Sequence, residues 1–309
     1  MAEQPQVNLS PTDCACPGNC PSCGGPARRS GYRGLSLGHC TLCGLQYWIA
    51  SATGPQAEYY NILYAPRLGP DHGTDAEPDF ADYVRRLESV RNQARSATAA
   101  EHRVKGRTPA PSRPPRSDET AVLGWLERMP RGRMLDVGCG EGSLVRWALD
   151  KGWDAIGCDI AAVAIAAARK AGPSSRFYCG QPKDLPEELG AFDGVTALHV
   201  LEHFPNPHML FDSLGSRLRR GGWAVLTMPN RHRIGLLVRR MRRQPWQAWD
   251  LPPHHFTRWS RRALRSFLSN YFEEMAITCS RYGRLGLLDS VLSWQWGPNL
   301  VAECRSYTG

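Results

Sequence analysis

The sequence predicts an α/β fold with a mostly parallel sheet, preceded by a small metal-binding module. Three observations lead there. From Asp118 onward, short apolar runs alternate with amphipathic helical stretches, which is the pattern of βαβ units. The first apolar run, residues 133–137, opens directly into Gly138, Gly140 and Gly142. Well before it, two Cys-x-x-Cys-Gly knuckles, Cys20/Cys23 and Cys40/Cys43, stand 16 residues apart.

Taken in order, residues 1–19 are polar and Pro-rich and are expected to be disordered. They hold no basic stretch leading into an apolar one, so no secretory signal is expected. No run reaches the roughly 18–20 apolar residues of a membrane span, and a cytoplasmic protein is expected. Six of the 11 cysteines fall between Cys14 and Cys43. In a reducing compartment such a cluster reads as a metal site rather than a disulfide framework. Residues 20–50 are therefore expected to form a zinc-ribbon-like module, with Cys20, Cys23, Cys40 and Cys43 closing a structural tetrahedral Zn2+ site. Cys14 and Cys16, in Cys-x-Cys spacing, suit a knuckle poorly.

Residues 51–117 form a connector. It contains the aromatic segment around Tyr59 and Tyr60, helical spacing at Tyr83, Val84, Leu87 and Val90, and a Pro/Arg-rich linker over 106–117. Residues 118–309 then make the large domain. A helix runs to Met129 on an apolar face of Val122, Leu123, Trp125 and Leu126. Strands are expected at 133–137, 153–158, 176–179, 192–199, 221–228, 274–280 and 299–305. Helices are expected at 143–150 and 161–171, from an Asn206 cap through 219, and behind a Ser260 cap. Right-handed crossovers place helices on both faces of the sheet.

The glycine turn has the spacing Gly-x-Gly-x-Gly, not the Gly-x-Gly-x-x-Gly of dinucleotide sites. Acids flank it, Asp136 before and Glu141 after. A pyrophosphate is drawn to the bare N–H groups of a helix start, and carboxylates there would repel it. A phosphate-free, positively charged ligand suits the turn. Asp159, at the end of the second strand and 19 residues after Gly140, is placed either to accept from ribose hydroxyls or to cap the next helix. Its position favours the ribose. Asp136 alternatively ties the loop backbone together.

Leu135 to Gly142, Gly157-Cys158-Asp159, and Phe192-Asp193 through Leu201-Glu202-His203 together resemble the class I S-adenosylmethionine methyltransferases, in the branch with the quinone and sugar methyltransferases. The segments from Leu198 to Pro207, Leu218 to Gly222 and Pro229-Asn230 are similar to motifs of the same branch. The resemblance covers about residues 118–305. It implies a Rossmann-like seven-stranded sheet in the order 3-2-1-4-5-7-6, with the seventh strand antiparallel. It also implies S-adenosyl-L-methionine as cofactor. Gly138, Gly140 and the turn at His199 would hold the methionine end, Asp159 the ribose, and Ile160 the adenine. Many relatives carry an Asp after the third strand to meet the adenine amino group. Here Gln181 follows Gly180, and its amide oxygen can accept that bond.

Methyl transfer asks the protein mainly to position the acceptor, and a base is needed when the acceptor is a hydroxyl or an acidic carbon. His254 and His255, in a Pro-stiffened loop ahead of Ser260, are the candidates for acceptor ligand or base; anchoring the loop is the alternative. His203 reads as a loop-supporting residue. The net charge is +9, and residues 231–265 hold ten Arg against one acid, Asp250. Residues 231–250, with Trp246 and Trp249, read as a lid, as a membrane-surface element for a lipid-linked acceptor, or as a packed surface helix. The expected reaction is O- or C-methylation of a small-molecule or glycan-like acceptor. The alternative is an RNA methyltransferase that grips nucleic acid with its zinc ribbon.

Overall fold

The computed structural model of the protein describes residues 19–32, 35–49, 60–61, 117–242, 250–252, 254–281 and 296–309. The expectations for residues 1–18, for the connector apart from Tyr60, Asn61 and Ser117, and for Trp246 and Trp249 lie outside them. Five parallel strands form the centre of the large sheet: β4 (Arg133–Val137), β5 (Asp154–Asp159), β6 (Phe177–Cys179), β7 (Phe192–Leu198) and β8 (Leu218–Pro229). β10 (Phe272–Cys279) and β11 (Asn299–Tyr307) complete it in the order β6-β5-β4-β7-β8-β11-β10. β11 runs antiparallel to both neighbours. This is the expected order, strand for strand. β4 is apolar and buried because helices cover both faces of the sheet, as a parallel strand requires. The strand order reverses at β4, and that leaves a crevice above its carboxyl end.

The helices follow the sequence pattern closely. α1 (Ser117–Arg128), α2 (Ser143–Asp150) and α3 (Ala162–Ala171) start and stop within a residue or so of expectation. α4 (His208–Leu214) is shorter than expected. Gly215 turns into a positive φ of 46° and ends it, and β8 begins early at Leu218. α5 (Ile234–Met241) leaves Leu237, Val238 and Met241 exposed. α6 (Arg261–Leu268) starts where the Ser260 hydroxyl accepts the Ala263 N–H at 3.2 Å. No helix among the described residues is long and apolar enough to cross a membrane.

The N-terminal module is a second sheet of β1 (Ala27–Tyr32), β2 (Leu35–Cys40) and β3 (Gln46–Ile49). Its fourth strand is borrowed from the large domain: β9 (Thr257–Arg258) pairs antiparallel with β3, Gln46 against Arg258 and Tyr47 against Thr257. The Trp48 amide donates to the Phe256 carbonyl at 2.8 Å, and its indole N–H to the Asp250 carbonyl at 3.0 Å. Leu45, Tyr47 and three of the knuckle cysteines are buried in one apolar cluster with Trp259 and Phe267. The two sheets therefore share a core.

On the other face of the large sheet, Trp223 meets Trp125 and Trp153 edge-on at 5.2 and 5.7 Å between ring centroids. Gly194 on β7 lies directly under this group, and a Cβ there would fall inside the Trp223 indole. Gly194→Ala is expected to destabilise the protein by about 1–3 kcal/mol through overpacking. Urea unfolding measures this, and an unchanged midpoint would show that the tryptophan cluster yields freely.

Candidate active site and metal centre

The crevice above β4 is a cavity of about 1080 Å³. Its floor is the turn after β4, where Gly138, Gly140 and Gly142 adopt φ of 70°, 53° and 76°. These values favour glycine on steric grounds. A Cβ on Gly138 would also approach the Val200 side chain to 2.5 Å, so this backbone lies close against the turn after β7. Asp159 fastens the floor. Its Oδ2 accepts the Gly140 N–H at 2.9 Å and its Oδ1 the Ala161 N–H at 2.8 Å. Asp159 does not cap the following helix, whose N-cap is Ala161; it binds that residue's amide, and each of its oxygens keeps a second lone pair. Burial pushes the Asp159 carboxyl above its usual range.

Asp136 does not tie the loop backbone. Its Oδ1 accepts the Thr196 hydroxyl of β7 at 2.7 Å, and burial pushes its carboxyl up to about 7. A cation brought alongside would return it to the carboxylate form. Ile160, Gln181 and His199 also line the cavity. Gln181 caps a short 3-10 turn with Asp184, whose Oδ2 accepts the Gln181 amide at 2.8 Å.

The opposite end of the cavity is built round Glu202, a carboxyl only 1% exposed. Burial alone would raise it, but the His199 hydrogen bond and nearby imidazoles outweigh that and hold it at about 2. His199, itself at a positive φ of 58°, faces Glu202 Oε1 through Nδ1 at 3.2 Å and Asp118 Oδ2 through Nε2 at 2.7 Å. Its ring thus bridges two buried carboxyls. The His203 ring is pushed down to about 4 by burial, and its Nδ1–H donates to the His254 carbonyl. His254 stacks on His255 at 4.6 Å, and burial pushes it down to about 2. His255 lies between two acids, with Nε2 3.9 Å from Glu202 Oε1 and Nδ1 3.9 Å from Asp250 Oδ1. Arg233 holds both oxygens of Asp250, at 2.9 and 2.8 Å. The Tyr60 ring packs edge-on to His203 at 5.4 Å.

Sequence reasoning brought His254 and His255 to this place but missed Asp118, Glu202 and Asp250 as partners. Asp250 left a signal as the single acid among ten Arg, and Glu202 stood within a motif quoted for its resemblance.

The four knuckle cysteines converge as expected, with all four sulfurs within 4.8 Å of one another. Cys20 and Cys43 Sγ are 3.6 Å apart, and Cys23 and Cys40 Sγ 3.5 Å. Four sulfurs about 2.3 Å from a common zinc would be about 3.8 Å apart, so the cluster fits that ion with little movement. Backbone amides already point at the sulfurs: Ser22 N–H at Cys20, Cys43 N–H at Cys40 and Leu45 N–H at Cys43, at 3.4–3.5 Å. The Cys20 thiol beside it pulls Cys43 down to about 5, which favours the thiolate. Cys43→Ser is expected to lose about one zinc per chain and to lower the melting temperature. A variant that keeps all of its zinc would remove the ribbon assignment.

Over 111 residues the chain is 32% identical to a ubiquinone biosynthesis O-methyltransferase of Chromobacterium violaceum, covering 34% of this chain and 48% of that protein. A protein of the same name from Paracidovorax citrulli is 33% identical over 125 residues, 38% of this chain and 52% of its own length. The chain spans about half the length of the curated relatives it matches. Among solved structures, an S-adenosylmethionine dependent methyltransferase from Mesorhizobium loti is 20% identical with a TM-score of 0.45, covering 62% of this chain and 98% of that one. The magnesium protoporphyrin IX methyltransferase of Synechocystis, with bound SAH, is 16% identical with a TM-score of 0.45, over 81% and 98%. The methyltransferase-domain family matches residues 111–271, more than half of the chain. With that match and the strand order of its sheet, the chain belongs to the methyltransferase-domain family and carries the class I S-adenosylmethionine methyltransferase fold.

Proposed function

We propose that the chain transfers a methyl group from S-adenosylmethionine to an oxygen or carbon of a small-molecule acceptor. One observation carries this reading: a single cavity runs from the glycine turn and Asp159 to Glu202, His203, His254 and His255. Its volume suits a donor and a second small molecule side by side, since sites for one drug-sized ligand measure roughly 300–1,000 Å³. When bound, the donor supplies an already activated methyl on a sulfonium centre. Gly138 and Gly140 would lie against its methionine end, Asp159 would receive the ribose hydroxyls, and Ile160 and Gln181 would flank the adenine. Asp136 and Asp159 give this end two carboxylates, which suits the donor's ammonium; the Arg146 guanidinium also lines it, with Nη1 donating to the Glu141 carbonyl at 2.6 Å.

At the other end, the two histidines differ. His254 is held neutral by burial and is a weak base. His255 has a carboxylate facing each ring nitrogen, 3.9 Å away on either side, which fixes how its ring is turned. His255 is thus the better placed to draw the acceptor's oxygen. The curated relatives' names favour oxygen as the acceptor atom. The β3 edge of the ribbon is spent on the catalytic domain, which favours a small acceptor over RNA. Exposed Leu237 and Met241 beside Arg239 and Arg240 favour peripheral contact with a lipid-borne acceptor.

Calorimetry with S-adenosylhomocysteine is expected to show one site, weakened roughly ten- to hundredfold by Asp159→Ala through loss of the loop and ribose bonds. Absence of heat with the wild-type protein would overturn the reading. Affinity for S-adenosylmethionine is expected to rise with pH through about 7, where Asp136 ionises, with proton release on binding below that point. Asp136→Asn should abolish this release. A pH-independent wild-type affinity would show that Asp136 does not face the donor's charge.

A further inference from the structure

Glu202, His203 and His255 have a second property that methyl transfer alone does not require. Each offers one ligand atom, and the three atoms lie within 4.8 Å of one another. They sit on two loops that the fold brings face to face: the turn after β7, and the segment that leads into β9. Glu202 Oε2 is buried and has no hydrogen-bond partner among the described residues, while Oε1 is occupied by His199. A buried carboxylate oxygen left without a partner is costly, and its ordinary explanation is a group not yet in place.

The imidazoles are arranged to match. His203 Nδ1–H donates to the His254 carbonyl, which fixes the tautomer and puts the ring's lone pair on Nε2. His255 Nδ1 faces Asp250, which Arg233 clamps through both oxygens, and its Nε2 is turned to Glu202. A carbonyl behind one histidine and a carboxylate behind the other are the supports that orient metal-binding imidazoles.

We propose that Glu202, His203 and His255 hold a divalent transition-metal ion at the acceptor end of the cleft. Two imidazoles and one carboxylate suit an ion such as Zn2+, Fe2+ or Co2+, and three protein ligands leave coordination positions open. Those positions face the cavity that the donor shares. They would take an acceptor bearing two adjacent oxygens, a catechol or a vicinal diol, as a chelate. The proposal deepens the functional reading above: the acceptor's oxygen reaches His255 through the ion rather than directly. The ion site itself is independent of the ribbon, whose four ligands are all sulfur.

The test uses the full chain with its ribbon loaded with zinc, titrated with Co2+ and followed by visible absorption. The wild-type protein should take up one equivalent with weak d–d bands and no thiolate-to-cobalt charge transfer. Glu202→Gln and His255→Ala should each weaken this uptake at least tenfold, and Asp250→Asn roughly ten- to hundredfold. Binding of S-adenosylhomocysteine within about twofold of wild type identifies the variants that are folded, and those decide the matter. The proposal is overturned if the wild type takes up no Co2+, if only charge-transfer bands appear, or if folded variants bind Co2+ as the wild type does. Absence of S-adenosylhomocysteine binding by the wild type would instead strike the methyltransferase reading, whatever cobalt does.

Discussion

An ionised carboxylate removed from water organises half of this cleft. Glu202 is buried almost completely and still held as an anion. Such a group is tolerated only when hydrogen bonds and opposite charge surround it. The chain meets that demand from three separate places. Asp118 at the start of α1 orients His199 from behind, the turn after β7 supplies His199 and His203, and the segment ahead of β9 supplies His255. The convergence of these segments is what gives the cleft its second, imidazole-lined end. The first end is organised differently, by backbone: Asp159 grips the turn after β4, and glycines keep that turn low enough for a ligand to lie on it.

The cysteine module takes part in the same arrangement. β3 pairs with β9, and Thr257 lies two residues beyond His255. The Trp48 amide and indole hold the Phe256 and Asp250 carbonyls, one on each side of the histidine pair. Asp250 in turn stands behind His255. The cysteine module therefore braces the loop that carries His254 and His255 from outside.

Much of the catalytic fold was legible in the sequence. β4, β5 and β7 are short apolar runs with clear punctuation, and the glycine turn and Asp159 sit at fixed places along them. The four thiols were legible because knuckle spacing has few other uses. What could not be read was pairing between distant segments. Nothing local in Gln46-Tyr47-Trp48 says that the strand will be completed by Thr257 and Arg258. Glu202 stands in a motif that was quoted for its resemblance, but one of the groups facing it, His255, comes from more than fifty residues on. The early end of α4 at Gly215 was a local signal outweighed by the apolar spacing around it.

The borrowed strand also bears on how the chain can be divided. Residues 118–309 look in the sequence like a self-sufficient enzyme with a detachable finger in front. Cutting there would strip β9 of its hydrogen-bonding neighbour and uncover Trp259 and Phe256, both almost wholly buried in the intact chain. A bare strand edge beside freshly exposed aromatics invites self-association. The cysteine module and the large domain, with one core and one shared strand, are best regarded as a single folding unit.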